Sequence, residues 1–537
     1  MSPHLPALHL EEAPQATDKR TQRRIMIAMI TALVAVIGAM SGLNVAQQEM
    51  AISLGASQGE LLWIINAYTL ALAALLLPVG AIGDRFGRKP VLLGGLAVFA
   101  VSTVGAVLAT SVPMMIAARA LAGVGAAMIM PVTLSIITAS FPAEDRGKAV
   151  GIWAAFAGGG SMISMFVSAF TTDVLTWRWV FALPLLLAAV SAVTTTKFAP
   201  NSREHSRHRF DTGGSVLSAI AIGGLVLGVH EGPEVGWTAP LTVFALVAGV
   251  VAIGGFIVWE RRQVAPLLDI STFRDRSLTA GTVTLLIVFT VMFGVFLVLF
   301  PFFQAVLGWS SLRSAAGMLP MTLMMMPIST VAPRLSARIG SRHTMMIGAG
   351  IFGLGLTTLA LRASVEGGYL SVLPGLILMG TGMGFTMTPA TTSITESLPA
   401  DKQGVASALN DTSRELGGAV GIALLGSVLS SGYRSAAKPL LEGVSPQLAE
   451  PAGEGIGKAF GVVAKLTADP NADPALLQQL PKVISAAKHA FVDGWVGSMW
   501  LGVGLAAVAF VFLAVRGPRH EPHRIDDEAE PELVAAI

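Results

Sequence analysis

Gly80-Ala81-Ile82-Gly83-Asp84-Arg85-Phe86-Gly87-Arg88-Lys89 closes one long apolar run and precedes another, and the fold turns on how it is read. Gly80 sits in the end of a helix, where a missing side chain lets a second helix approach closely. Gly87 turns a short loop. Arg85, Arg88 and Lys89 supply cations at the membrane edge. Asp84 is costly there unless it has a partner. A stop-transfer anchor would need the cations alone. It would need neither the acid nor both glycines, so an anchor does not account for the stretch.

A second, weaker copy follows, with Arg338 standing 253 residues after Arg85: Ala337-Arg338-Ile339-Gly340-Ser341-Arg342. Another pair matches with Gly380 standing 257 residues after Gly123. Here Gly123-Val124-Gly125, then Thr138-Ala139-Ser140-Phe141-Pro142-Ala143-Glu144, matches Gly380-Thr381-Gly382, then Thr395-Glu396-Ser397-Leu398-Pro399-Ala400-Asp401. Chance likeness between apolar helices does not supply loop Pro, Gly and Arg at nearly one offset. The chain therefore reads as two similar halves in the same orientation.

The composition agrees with a membrane location. Of 537 residues 53% are hydrophobic and 13% charged, against about 25% charged in soluble domains. A span needs about 20 mostly apolar residues. Fourteen runs qualify: 25–46, 61–82, 91–110, 113–139, 149–171, 179–196, 213–229, 241–259, 278–300, 314–333, 344–361, 370–395, 404–429 and 491–515. An even number puts both termini on one side. Most of the 35 Lys and Arg fall in loops on that side, which the positive-inside rule makes cytoplasmic. The expected layout is an N-terminal tail over 1–24 and a six-helix bundle over 25–198. A linker with two extra spans covers 199–277. A second six-helix bundle covers 278–515, and a tail covers 516–537. Residues 430–490 form a long extracytoplasmic loop, read as a flexible insert or as a cap over the outer mouth, with short surface helices over stretches such as Ala459 to Leu466. No small-residue cleavage site follows the first run, so the first helix reads as retained. The segment Asp526 to Glu532 reads as a disordered acidic tail.

Charges inside spans are candidate functional groups, because burying them costs roughly 2.5–3.5 kcal/mol on insertion scales. Arg119 lies in the fourth span, either as such a group or snorkelling to the outer surface. Asp411, Arg414 and Glu415 fall within one turn of the thirteenth, where they can share a face. An acid beside an Arg in low dielectric titrates as charge moves nearby, and a structural ion cluster is the alternative. Glu231 is a further acid, at the outer end of the seventh span. Met379, Met383 and Met387 fall on one face of the twelfth, as core packing or as an adaptable apolar lining. Cys is absent, so disulfides and thiolate metal sites are excluded. There is no phosphate-binding Gly-Lys-Ser/Thr loop to imply ATP, and no His pair at metal spacing. The basic run from His205 to Arg209 reads as a solvated linker or a contact to anionic lipid.

These residues resemble the major facilitator superfamily, and within it the fourteen-helix drug:proton antiporters. The superfamily signature between helices two and three reads Gly-x-Leu-x-Asp-Arg-x-Gly-Arg-Lys, with Ile82 here in place of Leu. The resemblance implies that Gly80, Asp84, Arg85, Gly87, Arg88 and Lys89 form a latch holding an inner gate shut. Arg119-Ala-Leu-Ala-Gly123-Val-Gly125 resembles the Arg-x-x-Gln-Gly-x-Gly motif tied to proton transfer, with Ala122 for Gln. Asn410-Asp411-Thr-Ser-Arg414-Glu415-Leu-Gly417-Gly418 resembles the Asn-x-x-x-Arg-[Gln/Glu]-x-Gly-Gly stretch of these exporters. Trp63-Ile-Ile-Asn66-Ala-Tyr68, His230-Glu231-Gly-Pro233-Glu-Val-Gly-Trp237 and Pro266-Leu-Leu resemble further pieces of them.

Two departures bear on coupling. Helix one of these antiporters carries Leu-Asp-x-Thr-Ile-Val-Asn-Val-Ala-Leu-Pro, and here Ala39 stands at the acid, with Asn44 following. Helix five resembles Gly-x-x-x-Gly-Pro-x-x-Gly-Gly but reads Gly160, Ser164, Met165, Ser168 and Ala169 at those positions. Loss of the Pro implies a straighter helix. Coupling would then rest on Asp411 and Glu415, with Arg119 and Arg414, or on Glu231. The expected fold is an all-α membrane protein with two six-helix bundles and two inserted helices. The expected function is proton-coupled export of amphipathic or cationic drugs, with the proton gradient as energy source and no other cofactor. The chain is not expected to be an enzyme or to bind nucleic acid. It would act as a monomer among membrane lipids in the cell inner membrane. Asn44, Trp63, Tyr68 and the three Met are candidate substrate-lining residues. A transporter of an endogenous metabolite or lipid, and a non-transporting sensor on the same scaffold, are the other readings.

Overall fold

A computed structural model describes residues 18–518 apart from 57, 202–209, 265, 400–401 and 471. Arg203, Arg207, Arg209 and the acidic tail therefore lie outside the described residues, as do most of the expected terminal segments. The described residues are helical throughout, with no strand. In chain order the first half comprises α1 (Lys19–Ser41), α2 (Leu43–Leu54), α3 (Gln58–Phe86), α4 (Arg88–Val107), α5 (Val112–Ser140), α6 (Ala143–Val174) and α7 (Ala182–Phe198). Next comes a hairpin, α8 (Thr212–Val235) and α9 (Pro240–Glu260). The second half holds α10 (Arg276–Pro301), α11 (Ser311–Ile339), α12 (Ser341–Arg362), α13 (Gly368–Glu396) and α14 (Gln403–Leu440), then short α15 (Pro446–Glu454), α16 (Ile456–Ala468) and α17 (Pro474–Leu477), and last α18 (Leu480–Arg516). Fourteen helices are long and apolar enough to cross a membrane. The protein is a multi-pass membrane protein.

In lipid every backbone group must be satisfied within the chain, which leaves helices as the natural spanning element. Their ends are set locally. Asp211 caps α8 by accepting from Gly214, and Asp275 caps α10 by accepting from Ser277 and Leu278. Gly87 and Gly340 end α3 and α11 with φ of +108° and +85°, a backbone that side chains rarely adopt. These two glycines occupy the same place in the two copies of the signature loop.

The repeat seen in the sequence is also a repeat of bonds. Lys89 donates to the carbonyl of Thr196 near the end of α7, and Arg342 donates to the carbonyl of Ala514 near the end of α18. Each cation thus meets the last carbonyls of its half's final helix, where the helix dipole favours positive charge. One apolar core fills the first half around α1, α3, α4, α5 and α6, and another fills the second half. The halves meet along two seams, α3 on α14 and α6 on α11. The hairpin lies outside this arrangement. Its α8 packs on α3 and α14, while α9 turns Phe244, Val247, Val250 and Val251 outward, as a lipid-facing helix does.

Two expectations change. The first run is broken at Gly42, where the helix ends and α2 begins. The segment over 430–490, read as a flexible insert or a cap with short helices, is shorter than expected and folded, with α16 covering the Ala459 to Leu466 stretch. Helix α14 runs on to Leu440, α18 starts at Leu480, and Leu448, Ala452, Ile456 and Ala459 are buried against the second-half core. The Tyr433 hydroxyl donates to the carbonyl of Ala452 at 2.7 Å, tying the segment to α14. Apolar side chains on one face of α15 and α16 could not stay in water at that density, so they pack.

Candidate functional site

The signature loop clasps the two halves together. Asp84 is buried at 2% exposure. It accepts from Gly404 N–H at 2.7 Å and Val405 N–H at 3.1 Å, at the first turn of α14. Those N–H groups have no intrahelical acceptor, and the positive end of the helix dipole adds to the attraction. Arg88 closes the other side of the carboxylate, with Nη2 at 2.8 Å and Nε at 3.0 Å. Gly80 and Gly404 make this approach feasible. A Cβ on Gly80 would stand 2.5 Å from the Gly404 carbonyl, and a Cβ on Gly404 would press into Gly80 and Asp84. The other seam lies on the same face. Gly147 faces Pro333, Gly151 faces the Ser329 carbonyl, and Gly158 faces Met325. Both seams are therefore shut on the face that carries the chain ends. Of the remaining loop cations, Arg85 lies over the Phe86 ring.

A second cluster sits deeper in α14. Arg414 pairs with Asp411 at 3.3 Å and donates Nη2 to the Ala157 carbonyl at 2.9 Å, reaching across from the second half into α6 of the first. Its guanidinium also lies over the rings of Phe289 and Trp153, 4.7 and 5.5 Å from their centroids. Asn410 donates to Asp411 at 3.2 Å and accepts from Thr391 at 3.0 Å. Asp411 is fully buried. One of its oxygens, Oδ2, and the Nε of Arg414 have no partner. A buried ion pair with spare valences is poorly compensated and responds to any nearby change of charge. Glu415 follows on the same helix, close enough for its charge to act on Arg414, Asp411 and Tyr68.

Arg119 forms a third point. At 1% exposure it does not snorkel to a surface. Its Nη1 donates to the Ala39 carbonyl at 3.1 Å, its Nε to the Ile64 carbonyl at 3.3 Å, and it lies 4.3 Å from the Tyr68 ring centroid. The Tyr68 hydroxyl donates to the Val36 carbonyl at 2.9 Å. So the residue standing where an acid was expected does meet this Arg, through its main chain. No carboxylate pairs with Arg119 among the described residues.

The helix-five positions have a packing job. Gly160, Ser164 and Ser168 recur every four residues on α6 and face Val34, Gly38 and Gly42, which recur likewise on α1. Small residues on both helices let the backbones close, as membrane helices need. Helix α6 runs unbroken past Met165. The side chains of Asn44 and Ala169 lie outside the described residues.

Other candidates are not drawn together. Glu231 is buried in the hairpin and makes no ion pair with the α14 cluster among the described residues. Met379 and Met383 are wholly buried in the second-half core. Met387 differs, since its Cε lies toward Gly158 across the α6 seam. Trp63 is half-buried on α3. Sequence reasoning missed the main-chain partners Gly404, Ala157 and Ala39, which no side-chain pattern reveals.

Comparison with known proteins places this geometry. Residues 27–422 match the family model of the Major Facilitator Superfamily. The multidrug efflux pump LfrA of Mycolicibacterium smegmatis is 32% identical over 461 residues, 85% of this chain and 88% of that protein. The multidrug resistance protein Stp of Mycobacterium tuberculosis (strain CDC 1551 / Oshkosh) is 31% identical over 404 residues, 75% of each chain. Among solved structures, the proton:xylose symporter XylE superposes with a TM-score of 0.56 at 13% identity, covering 93% of this chain and 96% of its own. With two like-oriented halves, a clasped seam between them and a family match over most of its length, this chain belongs to the Major Facilitator Superfamily and is a transporter, not an enzyme.

Proposed function

We propose that this chain is a secondary exporter of amphipathic or cationic small molecules, driven by proton entry and working by alternating access. It sits in the cell inner membrane as a monomer with both termini cytoplasmic, and it needs no cofactor beyond the proton gradient. The observation that carries this reading is the Arg414 bridge. One guanidinium holds a buried acid on its own helix and a carbonyl of the opposite half. Protonation of Asp411 or Glu415 changes the charge that Arg414 must balance, and so changes its grip on α6. That links a proton to the seam between the halves. Similarity to a multidrug efflux pump, LfrA, and to a multidrug resistance protein, Stp, supports export of drugs.

The test is drug-induced alkalinisation of acid-loaded inverted vesicles, read with a pH-sensitive dye. Substrates from a growth-inhibition panel in a pump-deficient host should collapse the proton gradient in vesicles holding this protein and not in empty ones. Absence of any drug-dependent signal across the panel sinks proton-coupled export. One observation favours a second reading, transport of an endogenous metabolite or lipid with an acidic group. Among the described residues Arg119 has no carboxylate partner, and such a substrate would bring one.

A further inference from the structure

We propose that Asp211 and Glu260 form a proton-sharing carboxyl pair, a proton-binding site in the accessory hairpin that is wired to the clasped seam. The two residues stand at adjoining ends of the hairpin, Asp211 as the N-cap of α8 and Glu260 as the last residue of α9. Asp211 Oδ1 accepts from Gly214 N–H at 2.8 Å and from the Trp259 indole at 2.8 Å. Glu260 Oε2 accepts from Leu268 N–H at 3.4 Å. The second oxygen of each acid, Asp211 Oδ2 and Glu260 Oε1, is buried without a partner. Those same two oxygens converge over Gly214, where an added Cβ would clash with both. Gly213 beside it takes the Trp259 ring in the same manner. Two bare carboxylate oxygens facing one another out of water are unfavourable. One proton held between them gives each a partner and removes one of two like charges.

Among the described residues no cation forms an ion pair with Asp211 or Glu260. Arg261 and Arg262 follow Glu260 but are exposed. Helices α3 and α14 pack on α8 and bring Asp84, Arg85 and Lys402 to this end. Asp84 is closed on Arg88 and the α14 N–H groups, Arg85 lies over Phe86, and Lys402 reaches toward the Pro266 carbonyl at 3.4 Å. The charge acting on Glu260 is that of Asp211.

That last contact makes the wiring. Glu260 holds Leu268, which is buried with Leu267 in the second-half core. Pro266, two residues before, holds Lys402, the N-cap of α14. The next N–H groups of α14 grip Asp84. With one proton the hairpin ends stay together and the segment around Leu268 is held. Loss of that proton sets two like charges against each other, pushes α8 from α9 and loosens the support beneath the clasp.

The test uses the full-length protein in lipid nanodiscs. Its lack of cysteine allows a single reporter, Val405→Cys, which is buried while the clasp is shut. Trp259 donates to Asp211, so the fluorescence lost in Trp259→Phe isolates a signal from the pair. We expect this signal to titrate, and the titration to disappear in Glu260→Gln and in Asp211→Asn. Maleimide labelling of the reporter should rise with pH more steeply in the otherwise unaltered protein than in Glu260→Gln. Their ratio cancels the thiol's own pH dependence. A flat Trp259 signal, or one that titrates alike in Glu260→Gln and Asp211→Asn, overturns the shared proton. Equal labelling profiles overturn the wiring. Neither readout needs a substrate, so failure here is separate from failure of the drug:proton reading.

Discussion

The carboxylate of Asp84 caps a helix that begins at Gln403, accepting from Gly404 at 2.7 Å across 320 residues of chain. Asp84→Asn keeps the size but gives up the charge and one acceptor. A hydrogen bond to a charged group contributes about 1.5–3 kcal/mol, so the closed state should lose roughly 10- to 100-fold in population. The expected outcome is normal insertion, crippled transport and faster labelling of Val405→Cys. Transport at the level of the unaltered protein would remove the clasp from the mechanism.

Arg414→Ala leaves Asp411 buried without a counter-charge. Removing one partner of a buried pair costs about 3–5 kcal/mol. The melting temperature in detergent should fall sharply, and the double substitution Asp411→Asn with Arg414→Gln should recover much of the loss. If the double variant is as unstable as the sum of the single ones, the pair is not coupled.

Glu415→Gln removes a charge beside Arg414 without changing shape. Substrate binding should persist while the drug-dependent alkalinisation of vesicles disappears. Full proton-linked efflux by this variant refutes the coupling role of Glu415.

Ala39→Asp places a carboxylate beside a carbonyl that already receives Arg119. The new ion pair should raise thermal stability, because the Arg now has only neutral partners. It should also move the growth-inhibition profile toward cationic drugs, since an acid near Arg119 disfavours anions. An unchanged profile and melting point would show that position 39 does not face the guanidinium.

The number of spans, the two halves and the signature loop were legible because each leaves a mark in residue types. Apolar length marks a span, and the Gly, Arg and Pro at nearly one offset mark the repeat. The partners of the key charges were not legible. Asp84 meets backbone N–H groups, Arg414 meets the Ala157 carbonyl and Arg119 meets the Ala39 carbonyl, and main-chain groups are the same at every residue. The folded segment between α14 and α18 shows the same limit. Its helices follow from amphipathic stretches such as Ala459 to Leu466, but their docking on α14 and α18 is a tertiary fact. The Asp211–Glu260 pair did leave a trace. Gly213-Gly214 beside an acid marks a spot where another chain segment must press in.

The two seams are built on one plan but fastened differently. Where the first loop has Asp84, its copy has Ala337, so α6 receives no such grip at its start. The α6–α11 seam relies on the close contacts of Gly147, Gly151 and Gly158, with Arg146 pulling at longer range on Glu396 of the neighbouring α13. A door with a hinge on one edge and only a friction fit on the other swings from the loose edge. Release at the face carrying the chain ends should therefore begin between Gly147 and Pro333, with Gly80 and Gly404 the last to part. Cysteine pairs placed at the two sites would show it as different crosslinking lifetimes.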